Sequence, residues 1–574
     1  MQSNFPKQKP KIELALVIIT GLFGLAMYAW VQNLGLVKFL TDQNAHLDAS
    51  RLVFDSMTPG ISQIGFWPPL LHILMMPFTL ITSLYQSGGA GAVVLIPALM
   101  VAAVFLYRLA YLYTNDKFLS FVAALLLVVN PYILYFSVTP MMEVLFLANL
   151  FGTAYFLAEW LAEQKLKWLV LTGVFVTLTC LSRFEGLILI PLVSLIIFIQ
   201  LTRKRKNYSE KEAVLLLFLI PACLGLVAIF IYSWVFGGSP LAFTGGSWIK
   251  NSGNATAFTK GNVLMSVKYL VYSSFYMLSK PLVWVSVGSL VVFAVLSGKK
   301  FRSMAILTVL ASPFVFVLMT LVTGTGSVLV ANLPPYNFFS NERYSLTWIG
   351  FTILVPVLLI SAVAYYFSRS NRRWMGWIAN SVRVVLAVAL LGLGVYQSYQ
   401  VVVAQKFSVI KDDINSPLPG QVEAMQYLAN NYDYGKILLT KADNDPILSQ
   451  AHVPLSNYIY EGNYKYFDQA DTEPWLFARY IVMHNPDDND AWSEQNDEIM
   501  VKWGKNPELT QYYDLVMQNP IRRIYKIDDA KVMDMAAAHG LDASQIPSIN
   551  PQISWWDPSD IYAKIQTKPT VGLK

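Results

Sequence analysis

The chain has 574 residues, 55% of them hydrophobic and only 14% charged. A soluble domain usually carries about 25% charged residues, so the deficit excludes an ordinary cytosolic enzyme and a disordered chain. The net charge of +6 does not indicate nucleic acid, because the basic residues sit in short loops between apolar segments, as the positive-inside rule describes.

Lys7, Lys9 and Lys11 precede the first apolar stretch, 13–32. No small-residue cleavage site follows it, so it is expected to be an uncleaved first span. A span needs about 20 apolar residues. Further candidates are 90–112, 118–137, 142–162, 167–183, 186–202, 213–236, 281–297, 304–325, 345–367 and 379–398, about eleven crossings in all. Cys180 and Cys223 lie inside such runs and suggest neither a disulfide framework nor a zinc site.

The segment 69–85 is apolar but short, holds His72 and is interrupted by Pro77. Counting it as a crossing would turn the clusters Arg203–Lys206, Lys299–Arg302 and Arg369–Arg373 outward. Counting it as an interfacial helix puts them all on the side of the N-terminal lysines. The second choice makes 33–89 a long external loop. It places Asp42, Asp48, Asp55, Glu143, Arg183, Glu185, Glu342, Arg343 and the tail after residue 400 at the external face. Arg383 lies inside the last span with no evident partner.

Two domains follow: a transmembrane domain over 1–400 and an external soluble α/β domain over 401–574. In the tail, the turn Ser416–Gly420 precedes a helical pattern, and KILLT (436–440), RYIVMH (479–484) and RRIYKI (522–527) read as strands. Helical stretches are expected between them, notably near 496–518. Asp443-Asn444-Asp445-Pro446 could hold a cation or be a solvated turn. The tail contains no GxGxxG, Walker A or HExxH motif.

The informative stretch is 41–72, a carboxylate-rich loop beside the membrane. Asp42 could act as a helix cap or as a catalytic carboxylate, and Asp48 and Asp55 could simply be solvated. Glu143 stands just before a span beside Pro140, where an ionisable residue must be paired or wet. Arg183 and Glu185 could form a structural ion pair or bind substrate. Tyr344 and Trp67 could be interfacial anchors. The Gly/Ser-rich loop 237–280, with Lys250, Lys260 and Lys268, could be a lid or a connector. Asn254-Ala255-Thr256 is a glycosylation sequon.

Four elements in order resemble a known family. They are Asp42-x-x-x-His46 through Trp67-Pro68-Pro69-Leu70-Leu71-His72; Asn130-Pro131-Tyr132 to Met142-Glu143; Leu181-Ser182-Arg183-Phe184-Glu185-Gly186; and Asn341-Glu342-Arg343-Tyr344. Together they resemble GT-C membrane glycosyltransferases of the protein O-mannosyltransferase and lipid A aminoarabinose transferase branch. The resemblance implies an all-α polytopic GT-C fold and a polyprenyl-phosphate-linked sugar as donor. It also implies an acceptor that is protein, lipid or envelope polymer, and a place at the outer face of a prokaryotic plasma membrane. On this reading Asp42 is the general base of an inverting displacement and Glu143 a second catalytic carboxylate. Arg51, His72, Arg183, Glu185, Arg343 and Tyr344 would contact substrate. The family commonly shows Gly-Asp at the acid, often with an acidic neighbour. Here Thr41-Asp42-Gln43 stands in that place, which implies chemistry without a metal or cofactor. The leaving phosphate is already anionic and needs fixed cations rather than a strong acid, and arginine's planar fork suits it. A transporter or flippase is the alternative, with a non-catalytic scaffold a further one, although the spans show no evident repeat and almost no acids.

Overall fold

A computed structural model describes all residues except 1–9, 66, 245–257, 298–300, 334–336, 369–372, 418, 491–492 and 554–574. Lys7, Lys9, Lys250, Lys299, Lys300, Arg369, Arg372 and the sequon at 254–256 lie outside the described residues. Among the described residues, eight helices are long and apolar enough to cross a membrane. A ninth candidate is the pair Val263–Leu278 and Lys280–Val295, bent by 115° at Ser279, which takes φ 71°. Two further expected spans coincide with shorter apolar helices, Lys117–Val128 and Leu166–Ser182. These two, of 12 and 17 residues, fall short of a bilayer core, so among the described residues eight or nine of the expected crossings, not about eleven, have a helix long enough to span. The segment 69–85 forms Leu70–Thr79 and Thr82–Ser87. At 1.5 Å per residue neither reaches the roughly 30 Å of a bilayer core.

Internal contacts divide the chain into two units. The first comprises Met1–Lys38, Phe66–Phe78 and Ser87–Ser416. It is a helical bundle whose most buried member is Glu143–Glu163, while Tyr208–Gly237 and Trp374–Ala404 keep apolar faces outward. That is expected of helices that face lipid rather than one another.

One end of this unit gathers its basic groups. Glu13 takes a bidentate pair of bonds from Arg108, at 3.0 and 2.7 Å. Tyr113 donates to the Arg302 carbonyl at 3.3 Å, and the Arg203 guanidinium lies 4.8 Å over Phe301. Arg383 also finds its partner there: its Nη1 donates to Asp116 Oδ2 at 2.5 Å and its Nη2 to Asn380 at 2.6 Å. Asp116 in turn caps Lys117–Val128 through the amides of Phe118 and Leu119. The helix Pro10–Asn33 leaves this end and Gly89–Thr114 returns to it.

The second unit comprises Phe39–Gly65, Thr79–Gln86 and Pro417–Lys574, so part of the first loop belongs with the tail. Its sheet runs β2-β1-β3-β5-β4, with β1 at Ile437–Leu438, β2 at Tyr458–Ile459, β3 at Tyr480–His484, β4 at Tyr513–Gln518 and β5 at Arg522–Ile527. β1 pairs parallel with β2 and β3, and β5 pairs antiparallel with β3 and β4. The three expected strands are β1, β3 and β5. The expected helix near 496–518 is corrected: Glu498–Trp503 is helical, but 513–518 is a strand. It pairs with β5 through a hairpin in which Asn519 Oδ1 accepts from the amides of Ile521 and Arg522. The core includes Leu438, Phe477, Ile481, Met483, Tyr513 and Ile527. Asn444 and Asp445 are buried, not solvated. Asn444 donates to the Thr440 carbonyl at 2.8 Å and Asp445 pairs with Lys441 at 2.8 Å.

Candidate active site

Four local devices build a charged cluster in the first unit. The first is Asn130-Pro131. Asn130 Oδ1 caps the helix Pro131–Phe136 by accepting from Tyr132 and Ile133, and its Nδ2 donates to the Met277 carbonyl at 2.9 Å. Tyr135 donates to the Leu36 carbonyl at 2.9 Å and Thr139 to the Tyr135 carbonyl at 3.1 Å. These motif residues thus support the turn that leads to Glu143.

The second device is the helix Glu143–Glu163, which starts at Glu143 and buries it to 1% exposure. The third is the junction after Leu166–Ser182. Arg183 leaves the helix with φ −155°, and the 3-10 turn Phe184–Ile188 follows. Gly186 is required there, since a Cβ would lie 2.6 Å from the Thr179 carbonyl carbon and 2.7 Å from the Cys180 nitrogen. The fourth is Asn341, which takes φ 53° and turns the chain into the 3-10 helix Glu342–Trp348. Asparagine tolerates this left-handed conformation better than most side chains.

These devices bring Glu143, Arg183, Glu185, Arg343 and Tyr344 together. Arg183 Nη1 donates to Glu143 Oε1 at 2.7 Å, while its Nε and Nη2 reach Glu185 Oε1 at 3.0 and 2.6 Å. Arg343 Nε lies 3.2 Å from the same Glu143 oxygen. Both guanidiniums lie over the Tyr344 ring, at 4.8 Å for Arg183 and 5.6 Å for Arg343. The four charged side chains are nearly inaccessible, at 1–9%. Buried charges persist only when paired in this way.

Sequence reading missed a carboxyl pair beside Arg343. Glu342 and Asp413, 1% and 3% exposed, hydrogen-bond to each other through their side chains. Two carboxyls can do so only by sharing a proton. Burial pushes the Asp413 carboxyl up to about 6, against the pull of Arg343 and bonds from Asn415 and Glu342. The backbone fixes the pair: Phe339 bridges Asp413, Leu329 bridges Ser340, and Ser273 donates to the Glu342 carbonyl at 2.6 Å.

His72, also in the first unit, is fully buried on Leu70–Thr79. Asp42 and Arg51 belong to the second unit, on the helix Thr41–Leu52. This helix is polar yet mostly buried, with Gln43, Asn44, His46, Asp48 and Ser50 at 0–2% exposure. Asp42 occupies its first turn and is one of its few partly accessible residues. Arg51 binds Asp55 at 3.0 Å and the Thr79 carbonyl at 2.7 Å. Among the described residues no group of three or more His, Cys, Asp or Glu could hold a metal ion.

Residues 68–229 match the sequence profile of the dolichyl-phosphate-mannose-protein mannosyltransferase family. No curated protein matches the chain. Among solved structures, ArnT from Cupriavidus metallidurans, bound to undecaprenyl phosphate, has a TM-score of 0.53 at 13% identity, over 89% of this chain and 97% of that one. Its apo form also gives 0.53, at 12% identity, over 89% and 98% of the two chains. The archaeal oligosaccharyltransferase AglB from Archaeoglobus fulgidus, in complex with an inhibitory peptide and a dolichol-phosphate, has a TM-score of 0.50 at 13% identity, over 87% and 72%. The structural likeness gives the fold, that of the GT-C glycosyltransferases, and the profile match covers 68–229 of the 574 residues. The chain is a multi-pass membrane protein with the fold of the GT-C glycosyltransferases.

Proposed function

We propose that the protein transfers a sugar from a polyprenyl-phosphate carrier to an acceptor at the external face of a plasma membrane, with inversion at the anomeric carbon. The observation that carries this reading is the meeting of Arg183 and Arg343 on one buried Glu143 oxygen, at 2.7 and 3.2 Å. The polyprenyl phosphates named for ArnT and AglB are donors' lipid parts of the same chemistry. The basic end of the first unit, with Arg203, Arg302 and Arg383, corresponds to the cytoplasmic side. Glu143, Arg183 and Arg343 then lie toward the external leaflet, where a lipid-anchored sugar phosphate is presented.

The chemistry divides between the residues. A hydroxyl acceptor is a weak nucleophile and needs a base in hydrogen-bond reach; Asp42 takes its proton. The acceptor oxygen bonds to the anomeric carbon as the carbon–oxygen bond to phosphate breaks, and the phosphate departs with the electron pair. Arg343 holds the phosphate oxygens as their charge grows. Arg183, whose fork is committed to Glu185 and Glu143, aligns Glu143 toward the sugar or acceptor. Tyr344 backs both cations.

The test is turnover by purified protein in lipid, with a panel of polyprenyl-phosphate hexoses and pentoses and an envelope extract as acceptor. Wild type should transfer one sugar, with inverted configuration in the product. Asp42→Asn should keep donor binding and lose about 100-fold or more in rate. Undiminished transfer by Asp42→Asn would remove Asp42 from the chemistry.

A further inference from the structure

The helix that carries Asp42 is held by the tail. Asn44, two residues on from Asp42, is fully buried. Its Oδ1 accepts from Ser449 Oγ at 2.7 Å and from Gln450 Nε2 at 3.0 Å, both on the tail helix Lys441–Gln450. Its Nδ2 donates back to the Leu40 carbonyl at 2.9 Å, and Gln43 Oε1 accepts from the Leu40 amide at 2.9 Å. The first turn is thereby tied to the tail on one side and to its own entry on the other.

The rest of the loop is held in the same way. Gln63 accepts from Tyr460 Oη at 2.5 Å and donates to the Gly462 carbonyl at 3.1 Å. Asn463 donates to Thr58 Oγ1 at 3.1 Å. Tyr85 donates to Asp48 Oδ1 at 2.6 Å. A helix this polar has little apolar surface to fix it by burial, so directional bonds must set its rotation and its position along the axis. Hydrogen bonds to a buried side chain have steep angular preferences, and a half-ångström shift in a reacting group is costly.

We propose that Ser449 and Gln450, acting through Asn44, are positioning residues for Asp42, and that setting this carboxylate is a function of the tail. The proposal rests on the assignment of Asp42 as the base. Ser449 and Gln450 do not themselves touch substrate. They fix the rotation of the turn from which Asp42 projects.

The experiment uses the full chain in lipid and the panel donor that wild type turns over. Ser449→Ala with Gln450→Ala should lower kcat about 10- to 100-fold while KM for the donor stays within about two-fold. Ser449→Thr, which keeps the hydroxyl, should restore most of the rate when Gln450 is intact. Hydrogen exchange of the peptide over 40–52 should quicken in the double variant. Unchanged kcat in the double variant overturns the proposal, as does a kcat loss in Ser449→Ala that Ser449→Thr does not reverse. Asp42→Asn, run alongside, reports on the base alone. If that variant keeps full turnover, the base assignment fails, and unaltered exchange over 40–52 would overturn the positioning role as well.

Discussion

Glu143 and Arg183 stand 40 residues apart in the sequence and meet at 2.7 Å in the bundle. The same glutamate oxygen also receives Arg343, at 3.2 Å. One carboxylate thus orients two cations from two different segments. Removing either arginine leaves the remaining charges in a site with almost no water to replace it.

Arg183→Ala is expected to destabilise the folded protein by about 3–5 kcal/mol, the cost of leaving buried charges without their partner. Thermal unfolding in detergent measures it. Arg183→Lys should rescue only part of the loss, because an ammonium cannot span Glu143 and Glu185 with a rigid fork. Equal stability of the alanine and wild-type proteins would contradict this picture.

Tyr344 offers a cleaner separation. Tyr344→Phe keeps the ring under both guanidiniums and should retain most activity. Tyr344→Ala removes a cation–π contact worth about 0.5–2 kcal/mol and should slow transfer by about 3- to 30-fold. If the phenylalanine variant is as slow as the alanine variant, the hydroxyl rather than the ring is what matters.

At Gly186 the constraint is backbone against backbone. Gly186→Ala must push the 3-10 turn away from Thr179 and Cys180, moving Glu185 and Arg183 with it. A loss of about 1–3 kcal/mol is expected, with activity reduced even in the fraction that remains folded. A variant with native melting and native rate would show that the turn can yield.

Asp413 predicts a pH dependence with a definite sign. An aspartate titrates ordinarily at 3.8, whereas Asp413 holds its proton to about 6. Between those values the folded protein binds more protons than the unfolded chain, so raising the pH through this window lowers stability. This contribution is complete below the lower value and gone above the upper one. Asp413→Asn should flatten the change in melting temperature between about pH 4 and pH 7. A wild-type melting temperature that rises across the window would contradict the shared proton.

Much of the bundle was legible because the length of an apolar run decides whether a helix can cross, and no long-range pairing is needed to see it. The cluster was legible in part: Glu143, Arg183, Glu185, Arg343 and Tyr344 stood out as charges or rings at span ends. Their mutual distances were not, since Glu143 and Arg343 join only through tertiary packing. Asp413 was invisible because nothing near it announces Glu342, and Asn44 because its partners lie 405 and 406 residues on. The Asn130-Pro131-Tyr132 element was noticed as a motif, yet its bonds are capping and bracing. In the tail, β1 and β2 are two residues each, too short for any alternation to register. Tyr513–Gln518 was hidden behind a helical pattern that its hairpin partner overrode.

The interleaving of the second unit bears on how the protein can be cut or recombined. Phe39–Gly65 and Thr79–Gln86 belong by their contacts with the segment that starts at Pro417. A truncation at that proline would yield a shorter membrane protein in which Thr41–Leu52 keeps its amides, acids and histidine but loses Ser449 and Gln450, and Gln63 loses Tyr460. Chimaeras between relatives should exchange all three stretches together, because a graft of the carboxyl-terminal part alone would mate one parent's Asn44 with another's helix.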